Sequence, residues 1–313
     1  MKLSVLLHGP WTNNCFDRIF NEISSFRHKN KDHELSIYLV SYRADFEKVR
    51  EFLNSYSDFK PPIENIIVKD LFNPGFYNIN RQIHTVLSGL SHIDDDCFVI
   101  KLRNDQTVDF SKLINLLKKS SFFRDGSKRF LTTNCYTRKD RLYHPSDMFL
   151  AGWRNDLFEY YDVPFVENTS AEYKMKMLEV IGNDPRAFQN EYRTPESYLF
   201  THYLRKMGWR MKDTSQDSFD ALDRYFYIAN SWDLDYRWNK ARPPKNKRGS
   251  LILPMFGSAA PFGWDTPIRD RDGNVFKEEI VCYEKSDFTG IRTKKDEYYI
   301  DMSRRLFKKF FNS

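Results

Sequence analysis

Short apolar runs alternate along the chain with stretches whose apolar residues recur at helical spacing. Leu3, Val5, Leu6 and Leu7 belong to a run that stops at His8-Gly9-Pro10-Trp11, which predicts a strand and a sharp turn. Phe16, Ile19, Phe20 and Ile23 then fall on one helical face, with Asn13 or Asn14 as cap. The alternation continues with a strand over 35–41 and a helix carrying Phe46, Val49, Phe52 and Leu53, ended by Pro61-Pro62. A strand over 66–68 follows, then a helix over 78–90 with Ile79, Ile83, Val86, Leu87 and Leu90 on its apolar face, then a strand over 97–102. Such an order predicts an α/β fold: a doubly wound, largely parallel sheet flanked by helices.

Further on, the pattern predicts a helix over 110–117, a strand over 129–133, a polar loop over 134–141 and a strand over 144–152 closed by Gly152. Thr194 caps a helix with Pro195 at its first position and Gly208 as its stop. Beyond Asp213 the pattern is less regular. Residues 243–249 form a basic turn, and Asp272-Gly273 between Ile268 and Val275 predicts a hairpin. From Asp296, Tyr299, Met302, Leu306 and Phe310 recur at helical spacing, flanked by Arg304, Arg305, Lys308 and Lys309. This basic amphipathic helix either docks on the domain or lies on an anionic membrane surface.

The strand over 97–102 ends abruptly in Arg103-Asn104-Asp105-Gln106. In open α/β sheets ligands bind in the crevice outside the carboxyl ends of strands. A carboxylate at Asp105 suits a divalent ion, Mg2+ or Mn2+, and the fork of Arg103 suits a diphosphate. The plain alternative is an ion pair at a strand end, worth little.

Composition narrows this picture modestly. Hydrophobic residues make up 41% and charged residues 29%, ordinary for a globular protein, and the net charge of +6 is too mild to argue for nucleic acid. Aromatics reach 16%, enough to build a core and to line a sugar site. Cys15, Cys97, Cys135 and Cys282 are scattered without zinc-ligand spacing, which points to a reducing, cytoplasmic setting. The apolar run near Met1 is too short for a signal peptide, and no segment approaches the length that crosses a bilayer.

Three segments in order carry a family resemblance: Tyr77-Asn78-Ile79-Asn80-Arg81-Gln82-Ile83, Val99-Ile100-Lys101-Leu102-Arg103-Asn104-Asp105, and Ser146-Asp147-Met148-Phe149-Leu150-Ala151-Gly152. With His8-Gly9-Pro10 at the first strand end, the chain resembles the WavE-type lipopolysaccharide-synthesis glycosyltransferases over its first two-thirds. The resemblance implies a GT-A-like nucleotide-sugar fold. It implies a donor site made of His8, Gly9, Asn80, Arg81, Gln82, Arg103 and Asp105. Many GT-A enzymes carry an Asp-x-Asp metal motif; here Arg103 stands at its first position, so either a metal on Asp105 or Arg103 itself neutralises the diphosphate.

Two carboxylates are candidate bases for the attacking hydroxyl: Asp147, and Glu196 at the start of its helix, although acids favour helix starts for electrostatic reasons alone. His144 is read as an acceptor contact or a structural residue. Trp264, in a loop rich in small and aromatic residues, is read as an acceptor contact or as loop packing.

Together these features predict a cytoplasmic transferase, either free or held peripherally on the membrane inner face. It moves a sugar from a nucleoside-diphosphate donor to a hydroxyl of a lipopolysaccharide core, O-antigen or capsule, with inversion. Residues 1–213 form the donor-binding and catalytic core, and 214–313 an extension completing the acceptor side. The rival readings are a non-catalytic nucleotide- or glycan-binding protein of the same fold and a sugar nucleotidyltransferase. A Walker-type kinase is disfavoured, since GxxxxGK[ST] is absent.

Overall fold

The computed structural model describes residues 2–11, 16–29, 33–56, 63–119, 129–133, 135, 137, 142–169, 171–172, 175, 194–229, 234–238, 268–269 and 275–276. Its frame is a seven-stranded sheet in the order β3-β2-β1-β4-β7-β6-β8. The strands are β1 (Lys2–His8), β2 (Glu34–Tyr42), β3 (Ile63–Val68), β4 (Phe98–Arg103), β6 (Phe130–Thr133), β7 (Leu150–Trp153) and β8 (Phe226–Ala229). β7 runs antiparallel to β4 and β6; the other neighbouring pairs are parallel. The expectation of a largely parallel, doubly wound α/β sheet is met.

Alternation along each strand creates a core on both faces. Leu3, Val5 and Leu7 of β1 and Phe98, Ile100 and Leu102 of β4 pack against α1 (Phe16–Lys29), Val49 of α2 (Phe46–Ser55) and α4 (Phe110–Lys119). Leu6 and Val99 face the opposite way, toward α3 (Ile79–Leu90), α5 (Arg154–Tyr161), α6 (Pro195–Lys206) and α7 (Ser215–Tyr225). The α6 boundaries follow from the sequence signals: the Thr194 side chain accepts from Ser197 N, Pro195 opens the helix, and Gly208 at φ +71° ends it.

One feature departs from the sequence expectation. The strand predicted over 144–152 exists only from Leu150. Before it, side chains rather than a neighbouring strand take the carbonyls: Thr132 Oγ1 donates to Ser146 O and Phe149 O, and Lys101 Nζ to Asp147 O and Met148 O. Past Asp213 the chain continues into the same sheet through α7 and β8, and β9 (Arg237–Trp238) pairs with β5 (Gln106–Thr107). On either side of Asp272-Gly273, β10 (Ile268–Arg269) pairs antiparallel with β11 (Val275–Phe276), the pairing that the hairpin expectation requires. The basic turn, the Trp264 loop and the terminal amphipathic stripe lie outside the described residues.

Candidate functional site

The strand order reverses at β1: β2 and β3 extend on one side, β4 on the other. The carboxyl ends of β1 and β4 thus form the switch-point crevice where open α/β sheets bind ligands. His8 and Arg103 are register partners there. Asn104 fastens the turn by donating its N–H to His8 O (2.9 Å) and its side-chain amide to Gly9 O (2.7 Å). Gly9 sits at φ +112°, and nothing lies within 4 Å of where a Cβ would project. The turn therefore needs glycine and leaves open space beside it.

Arg103 holds Asp105 bidentately, Nε to Oδ1 at 3.1 Å and Nη2 to Oδ2 at 2.8 Å. The Asp105 side chain is 9% exposed and that of Arg103 31%. This pair is far more enclosed than an ordinary surface ion pair.

His8 is buried. Its Nδ1 lies 3.1 Å from Thr85 Oγ1, whose own hydrogen goes to Arg81 O at 2.8 Å, so Nδ1–H donates to threonine. Burial, then the cations Lys101 and Arg103, hold the imidazole pKa well below its usual value. In the unfolded chain His8 takes a proton first, so its contribution to stability is complete above about pH 6.5 and is lost as pH falls. His8→Gln is expected to flatten the acid limb of the profile of unfolding free energy against pH, measured by urea unfolding, by up to about 1.4 kcal/mol per pH unit. An unchanged limb would mean that His8 is not held neutral.

Behind the crevice lies a buried polar cluster. Lys101 extends from the middle of β4 to the carbonyls of Asp147 and Met148, 5.6 Å from the Tyr161 ring centroid. Asp147 is buried and accepts from Gln82, which also reaches Tyr161 OH at 3.5 Å. Burial, then the charge of Glu196, push the Asp147 carboxyl up; burial pushes the Lys101 amine down, with Asp147 opposing. Glu196 Oε2 lies 3.5 Å from His144 Nε2.

The segment carrying His144 and Asp147 is fixed from several elements. Ser197 Oγ donates to Leu142 O at 2.9 Å, Tyr143 N to Ser218 Oγ at 2.7 Å, and Ser146 N to Thr137 Oγ1 at 2.9 Å. The Tyr143 hydroxyl donates to Asp217, and Tyr143 is held at φ +50°. Such multiple anchoring pre-organises the carboxylates.

The structure thus brings Gln82, Arg103, Asp105, His144, Asp147 and Glu196 into one region, with His8 and Gly9 at its β1 side. Asn80 and Arg81 are engaged elsewhere. Asn80 donates to Asn73 O and Val166 O and accepts from Val166 N, so its amide is spent on backbone. Arg81 grips Asp70 with Nε and Nη2 at 2.8 and 2.6 Å. Trp264 lies outside the described residues. Lys101 is the residue the sequence reading missed. Its signal was present: a lysine inside an apolar strand needs buried partners.

Arg103 engages both Asp105 carboxylate oxygens, each of which keeps a further lone pair, so a metal ion held there would share the carboxylate with the guanidinium. Among the described residues the grouping of metal-capable side chains is Asp94, Asp96 and Cys97, just before β4 begins and so at its opposite end. Lys2 already bonds Asp96 there. Among the described residues no helix is long and apolar enough to cross a membrane.

Residues 67–227 match the family described as WavE lipopolysaccharide synthesis. No curated protein matches the chain. Three solved structures are remotely similar. The 4-diphosphocytidyl-2C-methyl-D-erythritol synthase of Anaerococcus prevotii DSM 20548 is 12% identical with a TM-score of 0.32, over 56% of this chain and 83% of that one. The galactosyltransferase LgtC, in complex with donor and acceptor sugar analogs, is 13% identical with a TM-score of 0.34, over 74% of each chain. The mannosyltransferase PcManGT of Pyrobaculum calidifontis, in complex with GDP-Man and Mn2+, is 11% identical with a TM-score of 0.35, over 70% of this chain and 74% of that one. Likeness this distant carries nothing about chemistry.

Proposed function

Because the chain belongs to the WavE lipopolysaccharide synthesis family, we propose that it transfers a sugar from a nucleoside-diphosphate-sugar to a hydroxyl of a growing cell-surface glycan. The observation that carries this reading is the meeting of two kinds of group at the switch point. The enclosed Arg103–Asp105 pair lies at the β4 end, and the desolvated Asp147 lies behind it beside Glu196.

The nucleotide occupies the crevice beside His8 and Gly9, with its diphosphate against the Arg103 fork. Asp105 holds that fork in place. Leaving-group charge is then met by a fixed guanidinium, which acts without reorganisation. The acceptor oxygen attacks the anomeric carbon from the side opposite the diphosphate. The bond from that carbon to the leaving phosphate oxygen breaks, and the acceptor proton passes to Asp147. The product is inverted, and a free nucleoside diphosphate departs. An Asp147 carboxyl raised toward neutrality is better matched to this proton transfer than an ordinary carboxylate. Glu196 raises it by like charge and orients His144 toward the acceptor.

The test is a screen of UDP-, GDP- and dTDP-sugars by thermal shift and product analysis, with EDTA or with Mn2+. One donor is expected to raise Tm, EDTA to leave that rise intact, and Arg103→Ala to abolish it. Released nucleoside diphosphate supports transfer; released pyrophosphate means a nucleotidyltransferase. A rise that vanishes in EDTA would replace the arginine reading with a metal. No rise with any donor would remove the donor site.

A further inference from the structure

We propose that the loop over 69–78 and the facing segment over 162–167 form a saccharide-stacking platform, which seats the glycan acceptor beside the carboxylate pair. The proposal rests on the acceptor half of the reading above.

Its motivation is where large apolar rings reach solvent. Phe72 is fully exposed, Tyr77 is 59% exposed and Phe165 47%. All three stand on these two segments, which are fastened to each other. Asn73 Nδ2 donates to Val166 O at 3.3 Å and to Glu167 O at 2.7 Å. Asn80 Nδ2 donates to Val166 O at 2.9 Å, and Asn80 Oδ1 accepts from Val166 N at 2.8 Å. Gly75, at φ +69°, permits this approach: a Cβ there would lie 2.6 Å from Val166 Cγ2. Tyr77 and Asn78 sit at φ +49° and +64°, a region that a tyrosine seldom adopts. The frame is therefore held tightly while its rings face water.

The loop over 69–78 leaves the carboxyl end of β3, on the same edge of the parallel strands as His8 and Arg103. The Phe76 ring lies 6.4 Å from Tyr77 and 6.1 Å from Tyr198 of α6. Gln82, one turn beyond Asn78 on α3, accepts the task of holding Asp147 by a hydrogen bond. A molecule lying on Tyr77 therefore sits along the sheet edge that carries the candidate site.

The chemistry of the surroundings selects the occupant. Asp70, Asn78, Arg81 and Glu167 are interspersed among the rings. Sugars present C–H faces to aromatic rings and hydroxyls to planar amide, carboxylate and guanidinium groups, so this mixture suits a glycan. Lys69 and Arg81, the latter already paired with Asp70, are balanced by Asp70 and Glu167, so the platform lacks the basic excess that holds a protein on an anionic bilayer. A protein partner would call for a contiguous apolar patch rather than separated rings.

The experiment compares wild type with Phe72→Ala, Tyr77→Ala, Phe165→Ala and their triple combination. The probes are delipidated lipopolysaccharide-core and O-antigen oligosaccharides, and vesicles of phosphatidylglycerol. Saturation-transfer NMR and titration calorimetry report binding; transfer kinetics follow with the donor found by the nucleotide screen. Wild type is expected to bind an oligosaccharide and the triple variant to bind it roughly tenfold or more weakly, about what loss of ring contacts brings. Acceptor KM rises in step while kcat and donor KM hold. Tm and the nucleotide-induced shift stay as in wild type, because the rings removed are on the surface. Equal binding by the triple variant overturns the proposal. So does wild type that binds vesicles but no oligosaccharide, or binds neither. A wild type that shows no nucleotide shift sinks the transferase reading itself, whereas a normal shift without oligosaccharide binding sinks the platform alone.

Discussion

Sugar transfer falls by about 10²–10⁴-fold in Asp147→Asn, the range that a positioned general base contributes, while the nucleotide-induced rise in Tm persists. Asparagine keeps the shape of the side chain and an oxygen for Gln82, so the fold of the segment is retained. What it removes is the basic oxygen. Steady-state rates, with binding measured separately, check this: loss should appear in kcat with donor affinity unchanged. Wild-type activity in Asp147→Asn would pass the role to Glu196 or His144. The companion Glu196→Gln takes away a neighbouring negative charge, so the Asp147 carboxyl moves down. The acid limb of the pH–rate profile then shifts to lower pH. An unmoved limb would show that the two carboxylates do not interact.

The second large effect falls on stability. Lys101→Met is expected to lower unfolding free energy by roughly 3–5 kcal/mol, the cost of leaving a buried charge without its partner. Two carbonyls, of Asp147 and Met148, also lose a donor. Asp147 then carries its charge without a nearby amine, so its carboxyl rises further and activity is lost at a higher pH than in wild type. Urea unfolding gives the first number and a pH–rate profile the second. A variant as stable as wild type would mean that the amine is not desolvated in the folded state. Lys101→Arg should not rescue, since a planar guanidinium does not fit the space of an ammonium.

The sheet was readable because β1, β2 and β4 are buried on both faces and appear as apolar runs, with helices of clear periodicity between them. Where partners come from side chains, sequence pattern misleads. Residues 144–149 look like the start of a strand, yet a threonine hydroxyl and a lysine amine satisfy their carbonyls instead. α5 was invisible because it begins at Arg154, directly after β7 and without a loop to announce it. α7 was hidden by its polar sequence, SQDSFDALDRY.

At the site, Arg103 and Asp105 were legible as a strand-end pair and Asp147 and Glu196 as candidate acids. Asn80 was not legible as a backbone clamp, since its partner Val166 lies 86 positions away. Lys101 could have been found by asking why a charge interrupts the run from Cys97 to Leu102.

The place of β1 between β2 and β4 has a consequence for how the chain assembles. Its first ordered strand can zip to β2 early in synthesis, but its other edge stays bare until Phe98–Arg103 emerges. Parallel, non-local pairing of this kind is slow and leaves an interval in which an open edge is exposed to other chains. A nascent polypeptide halted between Leu90 and Phe98 would therefore be a sticky one, and a chaperone that shields the bare flank of β1 during that interval would raise the yield of folded protein.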